Sequence, residues 1–407
     1  MKIAHIVRRY TPVEWGGTET VVSHTVAEQL KLGHDARIFC TSALQPATTT
    51  PSASSFAAGL QPSTFNYLYP YFPMPAKDQV ALDKKGGNPY APALFRAVEV
   101  WKPDLIHIHA GGRLACAAVK LAEKMSVPSV MSLHGGAAVV PKEEMELMLR
   151  PLKRKFPYGG ILDRLFGLRF DPLSRVSAVV AISHAEVARL QTLYPQQSIH
   201  YLPNGIDLSS PLTSSLSPLP SRLSPLHNVL CVSRIDYQKN QMALVDLLAA
   251  FPEIRLTLVG PVTAPWYAEK ITARVAELKV QDRFTLIPGL PPDSPELVEQ
   301  YRKADVFILP SLHEPFGIVA LEAMRAGLPL IASQVGGLPD FVKDGENGLL
   351  FNPSDPAALA QAFRRLTPEL ADRLVAGGLS TVSNYAWPKV IGRLEEIYAS
   401  CLKGVRP

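Results

Sequence analysis

Short β-rich runs alternate with helical ones along this chain, stop at a Ser/Pro-rich stretch, and then begin again. In the first series "KIAHIV", "DARIFC", "DLIHIH", "PSVMSLH", "SAVVAIS" and "SIHYLP" read as strands. Between the first two, Val22, Val26 and Leu30 fall at helical spacing and Gly33 offers a stop. Strand, helix, strand repeated this way predicts a parallel sheet covered on both faces. Residues 45–64, "QPATTTPSASSFAAGLQPST", read as a loop or poorly ordered insertion. Residues 209–228, "SSPLTSSLSPLPSRLSPLHN", carry no hydrophobic period and read as a linker. The second series is "NVLCVSR", "RLTLVG", "FTLIPG", "DVFILPS", "LPLIAS" and "GLLF", with helices through "QMALVDLLAAF" and "AEKITARVAELK".

The expectation is an α/β chain with two Rossmann-like parallel-sheet domains, 1–208 and 229–385, facing a central cleft. A length of 407 residues, too long for one ordinary core, agrees with two domains. Segment 386–407 follows the completed second sheet; Val390, Leu394 and Ile397 give it helical spacing, and it is expected to return to the first domain. In such sheets ligands bind beyond the carboxyl ends of the strands, so the cleft is the default site.

Composition excludes several classes. The charge balance, 41 − 36 = +5, is mild, and no basic motif is interleaved with aromatics, which argues against a nucleic-acid partner. An anionic small ligand or membrane face is compatible with it. Cys40, Cys116, Cys231 and Cys401 are scattered without a CxxC pair and read as reduced core thiols of a cytoplasmic protein. "MKIAHIVRRY" reads as a first strand rather than a secretion signal, and no apolar run approaches the ~18 residues of a spanning helix.

Chemistry concentrates in "HEPFGIVALEAMRAGLPLIAS" (313–333), where Glu314 and Glu322 stand eight positions apart. "DVFILPS" predicts a buried strand delivering Glu314 into a turn, and "IVALEAMRA" a helix carrying Glu322. A rotation of about 100° per residue places the two carboxylates on nearly one side. Free N–H groups at Phe316, Gly317, Ile318 and Val319 would favour an anion. Carboxylates suit hydroxyls and a helix start suits phosphate, so the combination points to a nucleotide sugar. The bland alternative makes Glu322 a half-buried helix residue paired with an arginine and Glu314 a surface turn residue.

In "SRIDYQKN", Arg234 and Lys239 are two cations able to neutralise a diphosphate, or merely exposed residues near a turn. In "WGGTE", Gly16 and Gly17 would let backbone approach a ligand, or make a tight turn; there is no GxGxxG fingerprint. His134 ends a strand ahead of Gly135 and Gly136. His107 and His109 share one strand face, but an HxH pair without DxD or a clear third ligand reads as satisfied strand-end histidines rather than a metal site.

With "GGTE", "HIH", "LHGG", "ISHAEV", "PNGID", "SRIDYQKN" and the paired glutamates, nearly the whole chain resembles the retaining glycosyltransferases of family 4, which have the GT-B fold. The resemblance implies a nucleotide-diphosphate sugar as co-substrate, UDP- or GDP-linked, with no cofactor or metal required. It implies a hydroxyl of a glycan or lipid-linked glycan as acceptor. Glu314 would bind hydroxyls of the transferred sugar and Glu322 those of the ribose. Arg234 and Lys239 would hold the diphosphate, and Phe316 to Val319 would cradle sugar and phosphate. Gly16 and Gly17 would line the donor, His134 would contact its sugar, and "IPGL", with Gly289 and Leu290, would receive the base.

Segment 137–170 departs from the compact family pattern. Its basic residues, Lys153, Arg154 and Lys155 among them, are mixed with Met, Leu and Phe. Together with His109 these are candidates for an acceptor or anionic-membrane face, which would place the protein peripherally on the inner side of the membrane. A packed helical excursion explains the segment equally well. Rival functions are a sugar-nucleotide epimerase, a phosphorylase, and a non-catalytic sugar-nucleotide-binding protein.

Overall fold

The computed structural model describes residues 1–10, 16–42, 60, 62–66, 90–135, 163–209, 227–291 and 293–404. They form two compact units, one built from Met1–Ile182, Glu186–Pro203 and Trp387–Pro407, the other from Ser183–Ala185 and Asn204–Ala386. Asn204 to Leu208 therefore belong to the second unit, not the first as expected. Hydrogen bonds explain this: Ile206 donates its N–H to the Tyr385 carbonyl at 2.8 Å, and Arg325 donates to the carbonyl of Asp207. Most of the expected linker lies outside the described residues.

The first unit holds a seven-stranded parallel sheet of order β3-β2-β1-β4-β5-β6-β7. Its strands are β1 (Lys2–Val7), β2 (Asp35–Ser42), β3 (Ser63–Asn66), β4 (Leu105–Ile108), β5 (Ser129–Ser132), β6 (Ala178–Ala181) and β7 (Ile199–Tyr201). The interiors of β1, β4, β5 and β6 are buried on both faces, as the continuous apolar runs require. β3 pairs with β2 in a region read as loop, so the expected insertion is partly strand. In "STFN" only Phe65 is apolar, and an edge strand this short gives no readable period.

Helix α1 (Gly17–Lys31) buries Val22, Val26 and Gln29. Leu30, expected in the core, is instead 41% exposed, and polar Gln29 occupies the inward position. The last helix, α2 (Trp387–Gly404), packs Trp387, Val390, Leu394, Ile397 and Tyr398 into one cluster with Ile3, Val22 and Val26.

A six-stranded parallel sheet of order β10-β9-β8-β11-β12-β13 forms the second unit. Its strands are β8 (Asn228–Val232), β9 (Arg255–Val259), β10 (Phe284–Ile287), β11 (Val306–Leu309), β12 (Leu330–Ser333) and β13 (Leu349–Phe351). Two helices beyond β13, Ala358–Arg365 and Pro368–Val382, had not been read from the sequence. Among the described residues no helix is long and apolar enough to cross a membrane.

Trp387 is buried and stacks on His24 with ring centroids 5.0 Å apart. Trp387→Ala is expected to cost about 3–5 kcal/mol through the cavity left in the first unit. Arg393→Ala, on the exposed face of the same helix, should stay within about 0.5 kcal/mol. Urea-unfolding curves of the two variants check this.

Candidate functional site

The carboxyl ends of the second sheet carry most of the candidate residues. Strand β11 is wholly buried, the chain turns through Ser311 to Phe316, and Gly317 at φ 95° starts helix α3 (Ile318–Arg325). Because a left-handed residue separates Glu314 from the helix, helical rotation does not relate it to Glu322, contrary to expectation. A second loop positions Glu314 instead. Gly336, at φ 55°, lies so close that a Cβ there would sit 1.9 Å from the Glu314 carbonyl oxygen. Gly337 donates its N–H to that same oxygen at 3.1 Å. Sequence reading passed over Gly336 and Gly337, although paired glycines after a strand were the signal noticed at Gly16 and Gly17.

Glu314 is buried and Lys239 donates to its Oε2 at 2.8 Å, with the Ser311 hydroxyl donating to it at 3.1 Å. Gln238, beside Lys239, accepts the Leu312 N–H at 2.8 Å, which fastens the two loops together. Lys239 is thus a buried cation with a carboxylate partner, not an exposed residue near a turn, and Glu314 is no surface turn residue. Among the described residues nothing donates to Glu314 Oε1, and Lys239 keeps N–H groups unspent.

Arg234 follows β8. Gln241 donates to its carbonyl at 2.7 Å, and its side chain, 52% exposed, lies 3.2 Å from Asp236. An exposed pair of this kind holds a guanidinium only weakly and leaves it addressable. Glu322 lies in α3, where the Tyr301 hydroxyl donates to Oε2 at 3.0 Å. It is in no ion pair among the described residues; burial raises its pKa, opposed by nearby Arg325 and by the Tyr301 bond. Its Oε1 accepts nothing from the described residues.

The Phe316 side chain is core, 5.2 Å from the Phe341 ring and 6.2 Å from that of Tyr385, so only its backbone can meet a ligand. The N–H groups of Ile318 and Val319, at the helix start, make no bond to a described residue. Gly289 follows β10, its N–H bonded to Ile287 at 2.8 Å, and Leu290 beside it is half-buried.

In the first unit, Gly16 caps α1 and Gly17 opens it. The helix start is not bare: Glu19 accepts the Gly16 N–H at 3.1 Å. A Cβ on Gly17 would meet nothing within 4 Å, so packing does not require that glycine. His134 follows β5, with Nε2 2.9 Å from His109 Nδ1. His109 is buried, both ring nitrogens engaged, and cannot line an acceptor or membrane face as expected. His5, from β1, joins His107 and His109 as the third histidine that sequence spacing did not reveal, with ligand nitrogens within 4.8 Å of one another. Their depressed pKa values follow first from burial. Lys153, Arg154 and Lys155 lie outside the described residues, as does Gly136.

Comparison with known proteins gives two family matches: "Glycosyltransferase Family 4" over residues 15–210 and "Glycosyl transferases group 1" over residues 226–374. The chain is 31% identical over 320 residues to a D-inositol 3-phosphate glycosyltransferase of Xylanimonas cellulosilytica, covering 74% of this chain and 72% of that protein. It is 28% identical over 434 residues to a glycogen synthase of Mycobacterium tuberculosis, covering 100% and 96%. In fold it is similar to a sucrose-phosphate synthase from Thermosynechococcus elongatus, with TM-score 0.73, 24% identity and 99% of each chain covered. HepE from Anabaena, solved in complex with UDP, gives TM-score 0.71 at 20% identity over 98% of this chain and 100% of that one.

Gly336 and Gly345 both have positive φ, but a Cβ on Gly345 would meet open space. Gly345→Ala should therefore cost only backbone strain, about 1 kcal/mol. Gly336→Ala must also displace the Glu314 turn, and thermal melts should show it several degrees lower than Gly345→Ala.

Proposed function

This chain belongs to the family 4 glycosyltransferases of GT-B fold, and we propose that it moves a sugar from a nucleotide-diphosphate sugar to a hydroxyl acceptor with retention of configuration. One observation carries the donor class: Glu314, paired with the buried Lys239 from the neighbouring loop, stands on the loop that leads into the N–H groups of Ile318 and Val319, which make no bond to a described residue. A ligand that offers phosphate to the ammonium and hydroxyls to the carboxylate completes both partners. Glu322, with one oxygen unspent, suits a further diol, which we assign to the ribose. Arg234 supplies a forked contact for the diphosphate. The UDP in the Anabaena complex and the names of the curated relatives support this reading.

In the proposed reaction the bond between the anomeric carbon and the phosphate oxygen breaks, and its electron pair leaves with the diphosphate. Lys239, Arg234 and the start of α3 stabilise that charge where it develops. The acceptor hydroxyl forms the new bond on the same face and gives its proton to the departing phosphate. No carboxylate nucleophile is needed, unlike a retaining hydrolase. These cations and the helix start supply the positive charge for the step without a metal. Gly16, Gly17, His134, Gly289 and Leu290 keep the donor-binding roles that the resemblance implied, and a glycan or lipid-linked glycan is the proposed acceptor.

Calorimetric titration with UDP and GDP, followed by a donor panel scored for released nucleotide diphosphate, tests the proposal. Glu322→Ala should weaken binding of the accepted nucleotide by about 10- to 100-fold, as loss of a charge-assisted hydrogen bond does. Binding without turnover would favour a non-catalytic binder, and an altered sugar without diphosphate release would favour an epimerase. Unchanged affinity in Glu322→Ala would refute its assignment.

A further inference from the structure

Inside the first unit runs a chain of hydrogen bonds that the proposed reaction leaves unexplained. It joins Glu395 and Tyr398 of α2, Gln29 of α1, His5 of β1, His109 after β4, and His134 after β5. Burial depresses the pKa of His5 and His134 to about 4 and those of His107 and His109 well below 6.5. All four imidazoles are thus neutral at neutral pH, each with one N–H and one lone pair.

The direction of every bond follows from one amide. Gln29 Nε2 lies 3.3 Å from Glu395 Oε1 and 3.3 Å from the Tyr398 hydroxyl. A carboxylate only accepts, so the NH₂ of Gln29 faces α2 and its Oε1 faces His5 Nε2 at 2.8 Å. The amide oxygen also only accepts, so His5 carries its proton on Nε2 and a lone pair on Nδ1. His109 must then donate from Nε2 to His5 Nδ1 at 3.0 Å, and accept at Nδ1 from His134 Nε2 at 2.9 Å. The end of the series is His134 Nδ1, a buried lone pair with no hydrogen-bond partner among the described residues.

A side branch obeys the same rule. The Tyr398 hydroxyl accepts from Gln29 and gives its proton to His107 Nδ1 at 2.6 Å, leaving His107 Nε2 to donate to Ser132 Oγ at 2.7 Å. Every ring nitrogen of His5, His107 and His109 is used in this way. A metal ion in the trio would have to break those bonds, whereas directional hydrogen bonding uses all of them.

We propose that Gln29, anchored by Glu395 of the C-terminal helix, acts through His5 and His109 as a positioning residue that fixes the tautomer of His134. His134 then presents an unprotonated Nδ1 that accepts a hydrogen bond from a hydroxyl of the bound sugar. The tautomer stands by itself; the role of the hydroxyl rests on the proposed function.

Long-range ¹H–¹⁵N spectra of the full chain labelled with ¹⁵N-histidine, assigned with single His→Gln variants, test the tautomer without any donor. His5, His109 and His134 should each carry the proton on Nε2. Gln29→Met removes the terminal acceptor and should convert His134 to a mixture of tautomers. It should also lower the sugar-transfer rate by about tenfold, the weight of one hydrogen bond, with nucleotide-diphosphate affinity unchanged. A proton on His134 Nδ1 in the unmodified protein, or an unaltered His134 tautomer in Gln29→Met, overturns the relay. A shifted tautomer with an unchanged transfer rate overturns its link to the reaction. If the unmodified protein transfers no sugar, the proposed function fails while the spectra still decide the relay; if Gln29→Met does not fold, the spectrum of the unmodified protein decides it.

Discussion

An ammonium and a carboxylate buried 2.8 Å apart, Lys239 and Glu314, fasten two loops at the carboxyl edge of the second sheet. Removing either partner would leave the other as an uncompensated buried charge, a cost of about 3–5 kcal/mol. The rest of the site is arranged around that constraint. Gly336 and Gly337 pass close enough to hold the Glu314 backbone, Ser311 donates to the same carboxylate oxygen, and Gln238 ties the lysine's turn to the chain leaving β11. The pair is near neutral as a whole, yet each member keeps bonding capacity. A ligand with phosphate on one side and hydroxyls on the other can occupy both without stripping either of its partner.

The two units manage polarity by different means. In the second, charges are paired and placed at strand ends beside a helix start. In the first, burial keeps four imidazoles neutral, and direction rather than charge is what passes along them. The C-terminal helix has two duties in that arrangement. Its apolar face, with Trp387 and Leu394, completes the core, and its Glu395 and Tyr398 orient Gln29.

Sequence periodicity reports which way a side chain points, and it served well where that was the whole question. The central strands and the helix bearing Glu322 were legible because buried parallel strands are continuous apolar runs. Periodicity does not report what a side chain meets from a distant segment. Hence Leu30 was assigned to the core in place of Gln29, whose partners lie on β1 and on the last helix. His107 and His109 were found by their spacing, while His5, on the neighbouring strand in register with His107, was not. Lys239 was seen as a cation, but its partner stands 75 positions away. The glycines at 336 and 337 were unread because their role is contact with the Glu314 turn, which no local pattern encodes.

On the proposed reading the paired Glu314 and Lys239 each spend their remaining bonding capacity on the donor, the lysine on phosphate and the carboxylate on the sugar. The affinity of Glu314→Gln for the accepted nucleotide diphosphate, compared with that for its sugar conjugate, measures this directly. With the competing carboxylate charge gone, the diphosphate alone should bind at least as tightly as to the unmodified protein, and the added affinity from the sugar should vanish. Weaker binding of the diphosphate alone, with the sugar's contribution intact, would show that the pair does not divide the donor in this way.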